Sequence, residues 1–132
     1  MLELSVQTER RTQLLNVTAS VNERLQGSEC AAVVVFVPHT TAGLVVQASG
    51  PDASMVAADI ESALERIVDE GWPWEHTAEG DRNPWSHVRS TLTGSSVTIP
   101  VAAGALALGR FQSLFLCEFD GPRERTLQLT LL

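Results

Sequence analysis

Apolar positions change their spacing several times along the chain, and each change marks an element. Leu2, Leu4 and Val6 alternate with Glu3, Ser5 and Gln7, the period of two expected of a half-buried strand. Residues 12–17 predict a second strand after Arg10-Arg11. From Thr18 the spacing lengthens to Val21 and Leu25, a short helix that Thr18 or Ser20 can cap and Gly27 ends. Residues 30–37 are apolar with no polar face and predict a central strand; residues 43–47 predict the next. Between these two, Pro38-His39-Thr40-Thr41 breaks the apolar run with an imidazole and two hydroxyls.

Gly50-Pro51-Asp52 opens the strongest helical pattern. Val56, Ile60, Leu64, Ile67 and Val68 share one face, while Asp59, Glu61, Glu65 and Asp69 are expected mostly to face water. Gly71 and Pro73 stop that helix. The polar segment GWPWEHTAEGDR follows. A second main helix then starts at Asn83-Pro84, with Asn as N-cap and Pro in the first turn, and closes at Gly94. Strands are predicted over residues 96–101, 106–108, 113–119 and 126–132, with turns at Gly104 and at Asp120-Gly121-Pro122. The order ββαββαα and then strands, without repeat or linker, predicts one domain over residues 1–132. Its class is α+β, with mostly antiparallel sheets and two main helices.

A chain of 132 residues with 44% hydrophobic and 19% charged positions can bury a core of its own. The net charge is −7 and all nine cations are Arg. That balance argues against electrostatic binding to nucleic acid or to an anionic membrane. Without Lys, Schiff-base chemistry is excluded. Cys30 and Cys117 both fall in apolar strand-like runs without a CxxC spacing, so both are expected as small buried hydrophobes. No basic-then-apolar leader opens the sequence, and no apolar run reaches the ~18 residues of a membrane span. A soluble cytoplasmic protein is the expectation.

The candidate chemistry falls into three groups. His39, His76 and His87 each lie at a break or in a polar segment. Their convergence would suit a zinc site with an open fourth position, or a proton-transfer cluster, and scattered loop histidines are the bland alternative. Glu118 and Asp120 flank Phe119 at a strand end and can share a face, although Asp120 also suits a local role in its turn. Glu79 and Asp81 could orient the His76 ring. Anion capture could use the helix N-terminus at Asn83 together with Arg82, Arg89, Arg110 or Arg123. Ser86 directly precedes His87, too close along a helix to form a nucleophile–base pair. Neither GxSxG nor a glycine-rich phosphate loop occurs.

Taken in order, HTTAGL at 39–44, the segment from His76 through Asp81 and Asn83 to His87, LTG at 92–94, IPV at 99–101, GALALGRFQ at 104–112 and EFDGPRER at 118–125 resemble the YjbQ family. Members of that family are described as secondary thiamine-phosphate synthases. The resemblance implies a homotrimer of compact α+β subunits, with two sheets in a sandwich and the polar motif residues near subunit contacts. It implies a divalent metal, zinc, on His39, His76 and His87, and a small-molecule substrate. Catalytic roles would fall to His39, His87, Asp81 and Asp120, and substrate binding to Thr40, Thr41, Arg82, Asn83, Arg110 and Gln112. The chain departs from the family pattern where Gln47-Ala48 replaces Asn-Glu and where Arg82 and Trp85 replace acidic positions. Those departures leave two rivals in place: metal-dependent hydrolysis or lysis of a small phosphorylated or carbonyl metabolite, and metabolite binding without turnover.

Overall fold

The computed structural model describes residues 1–77 and 83–132. Among these residues, eight strands and three helices follow in the order expected: β1 Leu2–Gln7, β2 Gln13–Asn16, α1 Thr18–Leu25, β3 Ala32–Phe36, β4 Ala42–Ala48, α2 Ala53–Ile67, α3 Pro84–Thr93, β5 Ser96–Ala102, β6 Ala105–Leu106, β7 Gln112–Glu118 and β8 Glu124–Leu131. Five strands form one sheet in the order β1-β8-β3-β5-β6, and three form the other in the order β2-β7-β4. Every ladder is antiparallel. The apolar run at 32–36 is indeed the middle strand of its sheet, with Val33 and Val35 fully buried.

The shared core lies between the sheets. Leu4, Val33, Val35, Leu127 and Leu129 meet Leu44, Leu114 and Leu116, and Val21 and Leu25 of α1 close one side. α1 is thus a structural third helix, shorter than the two main ones. It is not capped as expected: Val17 is the N-cap, and Thr18 Oγ1 instead accepts the Leu114 N–H at 2.8 Å. α2 covers the outer face of the smaller sheet, placing Ala57, Ile60 and Leu64 on Leu14, Phe115, Cys117 and Phe119. Burial there pushes the Cys117 thiol up to about 12.

Two residues of α2 depart from its periodicity. Ile67, expected on the apolar face, is 60% exposed. Glu61, expected toward water, is buried; its Oε2 accepts the Leu14 N–H at 2.8 Å and its carboxylate pairs with Arg10. The N–H at the head of β2 has no ladder partner on that side, and a carboxylate from the covering helix supplies one.

Three chain segments cross from one sheet to the other at the same end of the sandwich: residues 8–12, 37–41 and 119–123. Backbone bonds tie them together, Thr8 N to Arg123 O, Gly121 N to Arg11 O and Phe119 N to Thr41 O. The polar break at Pro38-His39-Thr40-Thr41 is one of these crossings. α3 lies across them against β4, and Gly43 permits the approach. A Cβ at Gly43 would sit 2.6 Å from Gly94 O and press on Thr93 Oγ1, while Leu44 N donates to Gly94 O. Gly43→Ala is therefore expected to cost about 1–3 kcal/mol through overpacking, read as a lower denaturant midpoint with an unchanged m-value.

Candidate functional site

A buried ion pair fastens the three crossings. Glu118 ends β7 and Arg125 is the second residue of β8, and neither is exposed by more than 2%. Arg125 donates from Nε to Glu118 Oε1 at 2.8 Å and from its NH2 group to Glu118 Oε2. Oε1 also accepts from Thr8 Oγ1 at 2.8 Å, and Oε2 from the backbone N–H groups of Phe119 and Asp120 at 3.0 Å. Burial alone would raise this carboxyl; the bonds from Arg125, the Asp120 N–H and Thr8 outweigh it and hold Glu118 below the usual carboxylate range. Arg125 reaches on to Thr41, whose Oγ1 accepts at 2.9 Å.

That network determines where His39 stands. Its Nε2 accepts the Thr126 N–H at 3.0 Å, one residue beyond Arg125. A backbone N–H can only donate, so Nε2 carries the lone pair and the neutral ring keeps its proton on Nδ1. Burial lowers the His39 pKa, and the Arg125 charge adds to this against an opposing pull from Glu118. The neutral ring is the form that stabilises the fold. Its contribution is full above the ordinary value near ~6.5 and is lost as pH falls through the lowered one. Nitrogen-15 correlation spectra are expected to show the Nδ1–H tautomer at pH 7 and a His39 midpoint below that of a histidine in a denatured chain.

α3 brings the second imidazole. Ser86 Oγ donates to Phe119 O at 2.6 Å and Ser90 Oγ to Thr40 O at 2.7 Å, so the helix is bolted to two of the three crossings. His39, Thr40, His87, Ser90 and Thr91 then line one cleft of about 420 Å³. His87 also lines a neighbouring hollow of about 620 Å³ together with His76. The His76 and His87 rings meet edge to face with centroids 5.4 Å apart.

The orientation of His76 follows from a chain of polar contacts. Arg123 donates to Asp120 Oδ2 at 2.8 Å, and Asn83 Nδ2 donates to the same oxygen at 2.8 Å. That leaves Asn83 Oδ1 as the acceptor facing His76 Nε2 at 3.0 Å, so this nitrogen carries the His76 proton. Asn83 precedes α3, but its side chain does not cap the helix; it links Asp120 to His76 instead.

The residues singled out in the sequence therefore divide. His39, Thr40 and His87 share a cleft, and His76, Asn83 and Asp120 form a chain beside it. Thr41 is buried, with its hydroxyl held by Arg125. Glu118 does not share a surface with Asp120, because its carboxylate points into the core. Asp81, Arg82 and Glu79 lie outside the described residues. Arg110 and Gln112 stand at the opposite end of the smaller sheet. Its register runs from Ala42↔Glu118 to Ala48↔Gln112, about 20 Å of strand at ~3.3 Å per residue. Arg110 lies over the Phe111 ring, and Gln112 Oε1 accepts the Gly109 N–H. Arg89 is buried and no surface cation: it donates to Val68 O at 2.8 Å, joining α3 to the end of α2.

The donor set fits a divalent ion in part. Two imidazoles on one tetrahedral zinc, with metal–nitrogen bonds near ~2.1 Å, have ring centres ~5 Å apart, close to the His76–His87 separation. His39 does not complete that set within one chain, since its Nε2 is taken by Thr126. Among the described residues, no three His, Cys, Asp or Glu are grouped to hold an ion.

The family profile described as UPF0047 protein YjbQ-like matches residues 2–132. The chain belongs to the YjbQ family. It is 32% identical to the UPF0047 protein YugU of Bacillus subtilis over 98% of this chain and 96% of that one. It is 37% identical to a UPF0047 protein of Archaeoglobus fulgidus, covering 94% of each. A conserved hypothetical protein of Thermus thermophilus superposes over 100% of both chains with a TM-score of 0.90 at 37% identity. The YjbQ architecture of antiparallel sheets and helices expected from the motifs is therefore the one observed. Among the described residues, no helix is long and apolar enough to cross a membrane.

Arg125 and Ser90 were not singled out as site residues, yet one holds Thr41 beside His39 and the other bolts α3 to Thr40. A signal for the first existed: Glu118 is an acid at the end of the apolar run SLFLC, and such an acid needs a cation. Ser90 carried none, because a serine on a helix is ordinary until its neighbour is known.

Proposed function

We propose that this YjbQ protein is a small-molecule enzyme in which His39 and His87 transfer protons across the cleft they share, on a phosphorylated or carbonyl-bearing metabolite. The observation that carries the reading is the cleft itself: two imidazoles from separate segments face one volume, and buried polar contacts hold both segments in place. His39 offers an Nδ1–H to an oxygen that gains charge, and His87 is the exchanging acid or base. When a divalent ion is held by His76 and His87, zinc being suited to their nitrogens, it supplies Lewis-acid polarisation in place of proton exchange at His87.

The secondary thiamine-phosphate synthase reaction is the finer reading. It joins an aminopyrimidine pyrophosphate to a thiazole phosphate and needs cations where pyrophosphate departs. Arg110 and Gln112 could serve only if a neighbouring chain of the proposed homotrimer brings them to this cleft. Light scattering is expected to give three times the chain mass of 14.3 kDa.

The purified chain is to be assayed on the two synthase substrates and, separately, on small phosphomonoesters, each with and without chelator. Metal content is measured alongside. His76→Ala and His87→Ala are expected to lose bound metal, and His39→Ala to keep it. Equal metal in all three variants would remove the proposed ligand pair. No turnover on any of these substrates would replace the enzymatic reading with metabolite binding.

A further inference from the structure

Among the described residues, the wall of the cleft between His39 and His87 carries no cation and no carboxylate. Besides the two imidazoles it offers four hydroxyls, those of Thr40, Ser90, Thr91 and Ser95. Two cations act on His39 from a distance, but Arg125 is buried against Glu118 and Arg123 is paired with Asp120. Neither lines the cleft. α3 ends here: Ser90 and Thr91 belong to its last turn and Gly94 follows it, so the negative end of the helix dipole lies at this wall. That turn, Ser90-Thr91-Leu92-Thr93, is itself uncharged, and the whole chain carries −7. An anion entering this cleft is therefore opposed rather than attracted.

The hydroxyls sharpen the selection. Ser90 Oγ donates to Thr40 O at 2.7 Å, and Thr91 Oγ1 donates to His87 O at 2.9 Å. A hydroxyl has one proton, so each of these oxygens has only lone pairs left for a ligand. Thr91 is exposed, which puts its lone pairs within reach. The neutral His39 ring brings an N–H donor to the same cleft. A carbonyl oxygen can accept from His39 while neighbouring O–H groups donate to Thr91. A phosphate dianion has acceptors alone, and it would set them against the lone pairs of Thr91 and the carbonyl end of α3.

We infer that the cleft binds a small uncharged hydroxy-carbonyl compound and discriminates against its phosphorylated form, with Thr91 Oγ1 accepting from a ligand hydroxyl. The inference rests on reading the cleft as an enzyme site, and it names which of the two substrate classes is taken. A volume of about 420 Å³ suits a molecule of a few carbons, at the small end of ligand pockets.

The test uses the full chain at low salt, with chelator present so that the response reports its own residues. The probes are dihydroxyacetone, dihydroxyacetone phosphate and acetone, read on the ring C–H signals of His39 and His87. Dihydroxyacetone is expected to shift both rings, saturating with a Kd on the order of 10 mM for so small a ligand. Its phosphate and acetone are each expected to bind about 3–10-fold more weakly, one for its charge and one for its missing hydroxyls. Thr91→Val keeps the shape and removes the acceptor, and is expected to weaken dihydroxyacetone about 3–10-fold. Thr91→Arg places a cation at the wall and is expected to reverse the order of the first two probes. Thermal melting establishes that both variants fold. The inference is overturned by phosphate binding as tightly as dihydroxyacetone in the native chain, by acetone binding as tightly, by unchanged affinity in Thr91→Val, or by no saturable shift at ten times the expected Kd. In heavy water, the native chain is expected to exchange the hydrogens beside the dihydroxyacetone carbonyl faster than His87→Ala does. Binding without that exchange keeps the ligand class and removes proton transfer. Exchange on the phosphorylated probe without binding of dihydroxyacetone does the reverse.

Discussion

Arg125→Leu is expected to lower the stability of the fold by about 3–5 kcal/mol, because it leaves the Glu118 carboxylate charged and unpaired in the core. The loss extends beyond one pair, since Thr41 loses its donor and the three crossings between the sheets lose their common tie. Denaturant melts over a pH series give a second, independent check. In the native chain the Glu118 carboxyl is held below its ordinary range. Its stabilisation is therefore present above the unfolded value near ~4.3 and disappears as pH falls through the lower folded value. Without Arg125, the strongest of the contacts that lower that carboxyl is gone, while the burial that raises it remains. The difference between variant and native chain is then expected to narrow as pH falls and the acid takes up a proton. Adding Glu118→Leu should restore part of the stability. The recovery is incomplete, because Thr8 and the Phe119 and Asp120 N–H groups lose their acceptor. A single variant as stable as the native chain would show that the pair is not what fastens the crossings.

His87→Ala is expected to reduce turnover about 10²–10⁴-fold while shifting stability by less than about 0.5 kcal/mol. The imidazole is only partly buried, and the contacts that hold α3 in place belong to Ser86 and Ser90. The paired measurement is the pH profile. His39 titrates below its ordinary value because burial and Arg125 disfavour its charged form. The acidic limb of kcat/KM that reports on His39 is therefore expected below ~6.5, and to vanish in His39→Ala. An acid limb unmoved by that replacement, or native turnover in His87→Ala, would take proton transfer away from this pair.

Much of this was legible along the chain. Period two at Leu2, Leu4 and Val6, the long apolar run over 32–36, and Pro84 and Gly94 at the two ends of α3 all report local geometry, and local geometry is what spacing encodes. The motifs HTTAGL and EFDGPRER fall on two of the three crossings. By itself, then, the sequence determined the order and kind of the elements, the central strand and the family.

What it left open was which polar residues would meet. Thr8 and Glu118 are 110 positions apart, and Thr41 and Arg125 are 84 apart. No spacing rule spans such distances. A periodicity states which face a residue occupies, but not what lies against that face. So Glu61, read as facing water, and Arg89, read as a partner for an anion, are both buried, while Arg110 and Gln112, read as site residues, stand at the far end of a sheet. Which ring nitrogen of His39 carries its proton followed only from the Thr126 N–H that meets Nε2. Only the tertiary structure decided these, because a buried charge or ring nitrogen takes its role from the partner that the fold places beside it.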